Sequence, residues 1–168
     1  MDLAEIRARD FLEETAVTRR VLERIPDDKL GWRPHAKSWT AGELATHVSN
    51  LPVWGRFILE QDELDLHPPG GAPLPPPAIV QSHDELLTRW DGNVAPVADM
   101  LRGTSLERFR QPWTLKHGGA TLLQLPRAGA FDAFVMRHQA HHRGQLTVYL
   151  RLLDVPVPQV YGPTADEP

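Results

Sequence analysis

The amino-acid sequence predicts an all-α protein, a four-helix bundle in which one connection is a long proline-rich crossover loop. Three observations favour this fold. Apolar residues recur mostly at steps of three to five positions in four separate stretches, as on the buried face of an amphipathic helix. Two of these stretches open with sequences typical of helix N-termini. Between those two lies a segment, residues 67–77, that holds six of the sixteen prolines and cannot be helix or interior strand.

The first helix is predicted from Asp2 to about Arg24 because charged residues separate its apolar positions at helical spacing. Pro26 ends that pattern. The following segment, Ile25 to Ser38, is rich in turn-forming residues and is expected to be an ordered connection rather than regular structure.

The second helix is predicted to begin after Thr40 and to run to about Leu66. Thr40 and Glu43 have the spacing of a capping box, in which the hydroxyl accepts from the amide of Glu43 and the carboxylate reaches back. Pro52 lies inside this helix and either bends it or marks the junction of two shorter helices.

A third helix is predicted from Ser82, which forms a second capping-box pattern with Glu85, to about Gly103. Residues 104–125 contain a short apolar run that fits either a small hairpin or an irregular excursion. The fourth helix is predicted from Pro126 to about Leu153, followed by an irregular tail over residues 154–168. The whole chain, residues 1–168, is expected to form a single domain.

The fourth helix carries the strongest local signal, a run of three histidines within five positions. On a wheel of about 100° per residue, His138 and His142 fall at the middle of the predicted apolar stripe, one turn apart, and His141 falls toward its edge. Two imidazoles at positions i and i+4 can bind one metal ion. The residues that define the stripe are Phe131, Phe134, Val135, Leu146, Tyr149, Leu152 and Leu153.

A third imidazole is expected from the second helix, where His47 also falls at the centre of an apolar stripe. A single histidine on such a face is usually a hydrogen-bonded core residue. Three of them would leave several polar nitrogens to satisfy, at a cost of about 1–3 kcal/mol for each one left unpaired. A shared divalent ion removes that cost, so the sequence predicts a metal site formed by His47, His138 and His142.

Such a site would keep open positions for water or substrate because no fourth protein ligand is evident. Zinc, nickel, manganese and ferrous iron all suit an all-imidazole site. Asn50 and Gln145 are each about one turn from a proposed ligand, and they either orient an imidazole or a bound water or lie at the bundle edge. His141 and Arg143 either line the mouth of the site or face solvent. The other four histidines fall in loops or caps, where a surface role is the default: His35, His67, His83 and His117.

Composition excludes several other chemistries. The chain has no cysteine, which rules out disulfide scaffolds, thiolate zinc fingers, iron–sulfur clusters and cysteine nucleophiles. Its net charge is −4 and no basic run exceeds two residues, so nucleic acid is not expected as a partner. A charged N-terminus and the lack of a long apolar run predict neither a secretory signal nor a membrane span, and a cytoplasmic location is expected.

The sequence resembles the DinB-like family, also called the DinB/YfiT-like metalloenzymes. The resemblance covers most of the chain, from the amphipathic first helix to the tail. Its most specific part is the combination of the second-helix segment that ends at His47 with the histidine-rich run of the fourth helix. The segments that carry it are Ile25–Pro34, Ser38–His47, His138–Leu146, Tyr149–Arg151, Val155–Pro158 and Tyr161–Gly162.

The resemblance implies a four-helix bundle with one metal held by a histidine of the second helix and two of the last, which correspond to His47, His138 and His142. It also implies dimers, and activities that include thiol S-transferases and isomerases that use low-molecular-weight thiols such as bacillithiol or mycothiol. The leading hypothesis is therefore a metal-dependent enzyme that activates an external thiol to attack a small-molecule electrophile. The alternatives are a hydrolase that uses metal-bound water and a noncatalytic bundle that binds metal or an apolar ligand.

Overall fold

The fold is built on long helices that pack side by side, and its computed structural model describes residues 2–168. In chain order the helices are α1 (Leu3–Leu22), α2 (Ala41–Glu60), α3 (His83–Gly103), the short α4 (Leu106–Arg110), α5 (Arg127–Phe131) and α6 (His138–Leu152). A π-helical stretch, Asp132–Arg137, joins α5 and α6 into one composite fourth helix. Helix α3 packs against α1 and α2, and α6 packs against the same two helices. The four-helix bundle predicted from the sequence is confirmed.

The helix starts follow the capping chemistry in the sequence. Thr40 and Glu43 form the complete capping box, with the Glu43 amide donating to the Thr40 hydroxyl over 3.1 Å and the Thr40 amide donating to the Glu43 carboxylate over 2.6 Å. Ser82 accepts the Glu85 amide in the same way, but the Glu85 carboxylate accepts from the Gln81 amide instead of closing the box. Pro52 lies inside one continuous helix rather than between two.

Helix α2 ends at Glu60, so the prediction that it runs to about Leu66 is wrong. The buried guanidinium of Arg127 donates to the backbone carbonyls of Ile58 and Gln61 and pairs with the Asp62 carboxylate. These bonds satisfy carbonyls that the end of a helix leaves without partners. The chain beyond them is then free to pair as a strand.

A small three-stranded sheet covers one part of the bundle, in the order β1 (Glu63–Asp65), β2 (Pro112–His117) and β3 (Ala120–Pro126). β1 pairs with β2 in parallel and β2 pairs with β3 in antiparallel. Gly118 and Gly119 form the two-residue turn of the hairpin, with φ angles of 62° and 79°. This left-handed conformation at both turn positions favours glycine and matches strand twist. Of the two alternatives for residues 104–125, the structure therefore shows the hairpin, preceded by α4.

The crossover segment and the tail have no helix or strand, as predicted. Within residues 66–82 the chain is held at separated points, where the Leu74 amide donates to the Leu66 carbonyl and the Val80 amide donates to the Thr46 hydroxyl. Ion pairs hold residues 154–168 against the bundle. Glu167 pairs with Arg20 and Arg24 at the end of α1. Asp166 pairs with Arg151 on α6.

The buried stripe of the fourth helix is rotated from the one predicted, although Phe131, Val135 and Leu146 belong to both. Leu150 is fully buried, whereas Leu152, which the wheel placed in the core, is 57% exposed. The wheel assumed about 100° per residue throughout, but the π-helical stretch winds more slowly and shifts the phase of everything after it. The buried residues of α6 are Gln139, His142, Arg143, Leu146 and Leu150.

None of the helices within residues 2–168 combines the length and the apolar composition that crossing a bilayer requires.

Candidate metal centre

Three imidazoles meet between α2 and the fourth helix. His47 comes from the second turn of α2, and His138 and His142 come from the first two turns of α6. One ligand atom from each of the three lies within 4.8 Å of the others, and among residues 2–168 no carboxylate joins them in this cluster. The ring centroids are 4.5 to 5.0 Å apart. These are the three positions that sequence reasoning selected.

One pair of imidazole nitrogens lies at a distance that suits a shared ion. His47 Nε2 lies 3.3 Å from His138 Nε2. Two nitrogens bound to one tetrahedral zinc at about 2.0–2.1 Å lie about 3.3–3.4 Å apart. Imidazole nitrogens are also ligands for nickel, manganese and iron. The three side chains therefore fit a divalent ion, and together could hold one.

Gln145 determines which nitrogen of His142 is available. Its amide oxygen Oε1 lies 2.6 Å from His142 Nδ1. Because an amide oxygen only accepts hydrogen bonds, Nδ1 carries the proton and donates. Nε2 is then left with a free lone pair, as a metal ligand requires.

Burial favours the neutral form of all three imidazoles by lowering their pKa values. Desolvation, with a smaller effect from the two neighbouring histidines, lowers the pKa of His47 from 6.5 to about 4. Desolvation also lowers the pKa of His138, against an opposing hydrogen bond to the backbone of Phe134. The pKa of His142 is lowered mainly by desolvation as well, although its bond to Gln145 opposes the shift. Neutral imidazoles have the lone pairs that a cation needs.

The cluster lies on the flank of the buried helix faces rather than at their centre. The sequence wheel placed His138 and His47 at mid-stripe, but both are only half-buried, while His142 is buried. On α6 the buried stripe is centred nearer to Gln139 and Leu146 because the π-helical stretch shifted the phase. A flank position leaves the cluster within reach of a small molecule.

Three of the residues that were expected around the cluster differ in how they contact the imidazoles. Gln145 contacts His142, as described, although it is otherwise exposed. His141 is exposed and its ring centroid lies 4.8 Å from that of His142, at the rim of the cluster. Asn50 is half-buried, and within the described residues 2–168 no hydrogen bond joins it to any of the three imidazoles.

Arg143 neither lines the mouth nor faces solvent, so both expectations for it are wrong. Its side chain is 1% exposed and points to α1, where it donates to the Glu14 carboxylate over 2.8 Å and to the Thr18 hydroxyl over 3.1 Å. It also donates to the Tyr161 hydroxyl of the tail and lies over that ring. Paired with a carboxylate in this way, an arginine can be buried.

Trp39 borders the cluster and was not identified from the sequence as a site residue. Its indole centroid lies 5.1 Å from that of His47 and 5.9 Å from that of His142. Its place immediately before the helix cap Thr40 could have indicated this position, since the cap is two turns from His47. The remaining four histidines lie away from the cluster, at His35, His67, His83 and His117.

Comparisons with known proteins give relatives along most of the chain. Residues 10–146 match the model of a family described as the DinB superfamily. The uncharacterized protein YrdA of Bacillus subtilis (strain 168) is 25% identical over 159 residues, which cover 92% of this chain and 85% of that protein.

Two crystal structures have the same fold. A DinB-like protein from Bacillus cereus ATCC 10987 superposes with a TM-score of 0.69 at 20% identity, over 91% of this chain and 94% of that one. The DinB-like protein YjoA from Bacillus subtilis superposes with a TM-score of 0.68 at 19% identity, over 91% and 95% of the two chains.

Proposed function

This chain belongs to the DinB superfamily, and we propose that it is a divalent-metal-dependent thiol S-transferase, or an isomerase of the same mechanism, that uses an external low-molecular-weight thiol. The observation that carries the proposal is the convergence of His47, His138 and His142, with no further histidine or carboxylate of residues 2–168 in the cluster. A structural zinc site is normally closed by four protein ligands, whereas a catalytic one keeps a position open.

The residues of the cluster have defined tasks in this proposal. His47, His138 and His142 hold the ion through neutral nitrogens, and Gln145 keeps the His142 ring in the required tautomer. The ion, when bound, lowers the pKa of a coordinated thiol and so supplies a thiolate at neutral pH. The chain has no cysteine, so the thiol comes from solution.

The proposed transfer needs no reactant other than the thiol and the electrophile. The sulfur of the thiol attacks an electrophilic carbon, a carbon–sulfur bond forms, and the bond from that carbon to its leaving group breaks. The thiol proton passes to solvent and the leaving group departs with the bonding electron pair. No oxidant or reductant takes part. In an isomerase the sulfur adds and leaves again, so the thiol is regenerated.

The test is a transfer assay on protein loaded with zinc, nickel, manganese or ferrous iron. Each form is incubated with 1-chloro-2,4-dinitrobenzene and a panel of thiols that includes bacillithiol, mycothiol and glutathione. We expect thioether formation that depends on both the metal and the thiol. His47→Ala should abolish it, and His35→Ala, a histidine outside the cluster, should match the wild type.

Other outcomes favour other functions. Metal-dependent turnover of ester or amide substrates without a thiol would favour a hydrolase that activates water at the same three histidines. Metal binding with no turnover of any substrate would favour a noncatalytic bundle. Either result would contradict the transferase proposal.

A further inference from the structure

The indole of Trp39 is a large apolar surface placed beside the histidine cluster and only half covered. The residue is 48% exposed. Its ring is nearly parallel to that of His142, with an angle of 25° between the planes, and is tilted by 57° to that of His47. The imidazoles cover part of the ring, and the rest is open.

Contacts with neighbouring residues hold the Trp39 backbone in place. The Tyr149 hydroxyl of α6 donates to the Trp39 carbonyl over 3.0 Å. Trp32 packs edge-on against the same tyrosine, at 5.6 Å between ring centroids, and its carbonyl accepts from the Ala41 amide at the start of α2 over 2.8 Å. The connection before α2 is therefore tied to both helices that carry the cluster.

This anchoring separates Trp39 from an ordinary exposed side chain. Single apolar residues at a protein surface are common and carry no information by themselves. Here an aromatic ring on an anchored backbone lies within 6 Å of two imidazoles that could hold an ion. Fixed aromatic rings beside a few polar groups are a common feature of small-molecule sites.

We propose that the Trp39 indole is a substrate-positioning surface, on which an aromatic or apolar group of the molecule at the ion's open position lies. The inference rests on the proposed function, because it takes an ion on the three histidines as given. It adds a substrate class: the site prefers thiols, or their electrophilic partners, that carry a planar apolar group. The preference comes from ring stacking and from burial of apolar surface against the indole.

The experiment measures binding rather than turnover. Protein with cobalt(II) in place of the native ion is titrated with benzyl mercaptan and with 2-mercaptoethanol, and the thiolate-to-cobalt charge-transfer band gives each dissociation constant. We expect wild type to bind benzyl mercaptan more tightly. Trp39→Leu should reduce this preference by about threefold to tenfold, whereas Trp39→Phe should retain most of it.

Leu122→Ala is the control, since it removes an exposed apolar side chain of the hairpin, on a different element from the imidazoles and from the connection before α2. It should leave the preference unchanged. The visible d–d spectrum of cobalt in each variant reports whether the three imidazoles are still in place, and we expect the same spectrum in Trp39→Leu and wild type.

Each contrary result has a distinct meaning. An equal preference in wild type and Trp39→Leu would overturn the inference and leave the proposed function intact. Loss of cobalt from both Trp39→Leu and Trp39→Phe would assign the indole to holding the imidazoles and would overturn it too. Failure of wild type to bind cobalt, or to bind either thiol to it, would overturn the proposed function and this inference together.

Discussion

Gln145 determines which ring nitrogen of His142 is free to bind a metal ion. The Nδ1–H of His142 donates to the Gln145 amide oxygen, and this fixes both the ring orientation and the tautomer. Partners of this kind contribute to metal affinity without touching the ion. The exposed position of Gln145 means that its side chain can be changed with little effect on packing.

Replacing Gln145 with leucine should weaken metal binding about tenfold to a hundredfold. Leucine has nearly the same size but no acceptor, so the His142 ring loses its fixed tautomer. Competition with a chromophoric chelator measures the affinity. Gln61→Leu is the control, because it makes the same change at an exposed glutamine at the far end of α2. Wild-type affinity in Gln145→Leu would show that the hydrogen bond has no part in the site.

The low pKa of His47 predicts how stability depends on pH. Burial lowers its pKa from 6.5 to about 4 in the folded protein. Between these values the unfolded chain binds more protons than the folded chain, so the free energy of unfolding falls as pH falls from about 6.5 to about 4. The metal-free protein should lose stability across that window.

His47→Gln removes the titrating group and should reduce this loss. Urea unfolding of the metal-free wild type and variant at about pH 7 and about pH 4.5 gives the comparison. A loss of the same size in both proteins would show that His47 is not protonated on unfolding in this range.

At the level of secondary structure, the C-terminal end of α2 is held by hydrogen bonds from Arg127. The guanidinium is fully buried and bonds the carbonyls of Ile58 and Gln61, while it shares the Asp62 carboxylate with Arg108. Arg127 therefore caps the helix together with Arg108, which donates to the Glu60 carbonyl, and ties this end of α2 to the start of the fourth helix.

Arg127→Met should lower the free energy of unfolding by about 2–3 kcal/mol, because it leaves buried carbonyls without a donor. Arg108→Met is the control, since it removes an exposed ion pair with the same Asp62 and an exposed bond to the Glu60 carbonyl, and it should cost less than about 1 kcal/mol. Chemical denaturation of the two variants measures the difference. Equal losses would contradict the role given to Arg127.

Sequence reasoning succeeded where local chemistry determines structure. Thr40 and Ser82 start their helices as their caps predict. The hairpin with Gly118 and Gly119 at its turn is one of the two alternatives that the sequence left open for residues 104–125. The end of α2 could not be placed in the same way, because it depends on Arg127, which is more than sixty residues away in the sequence. The alternating burial of Glu63 and Leu64 in β1 is a weak signal in so short a strand.

The sequence identified which three histidines form the site, but it did not show how deeply each of them is buried. Spacing along the helices identified His47, His138 and His142, and the structure gathers these three. The half-buried position of His138 follows from the π-helical stretch at Asp132–Arg137, whose slower winding a wheel of constant pitch does not include. Trp39 was missed because its contact with the cluster comes from the packing of a connection, which helical periodicity does not describe.

For the whole molecule, the cluster links two of the four helices. An ion held by His47 on α2 and by two histidines on α6 would bind the folded chain and not the unfolded one, and so would stabilise the fold. At a free concentration of about 100 times the dissociation constant the gain is about 2.7 kcal/mol. Zinc should therefore raise the thermal midpoint of wild type by about 5–10 °C.

Thermal unfolding measured with and without zinc tests this expectation. His142→Ala should show no rise, while His117→Ala, a histidine on the hairpin, should respond as wild type does. A rise of the same size in His142→Ala would place the stabilising ion elsewhere.

The central claim is that His47, His138 and His142 hold one divalent ion, and metal analysis of untagged protein tests it most directly. After loading and removal of free metal, wild type and His35→Ala should contain about one equivalent, and His47→Ala, His138→Ala and His142→Ala each less than about a tenth. A wild-type content below a tenth of an equivalent, or an undiminished content in the three variants, would contradict the account.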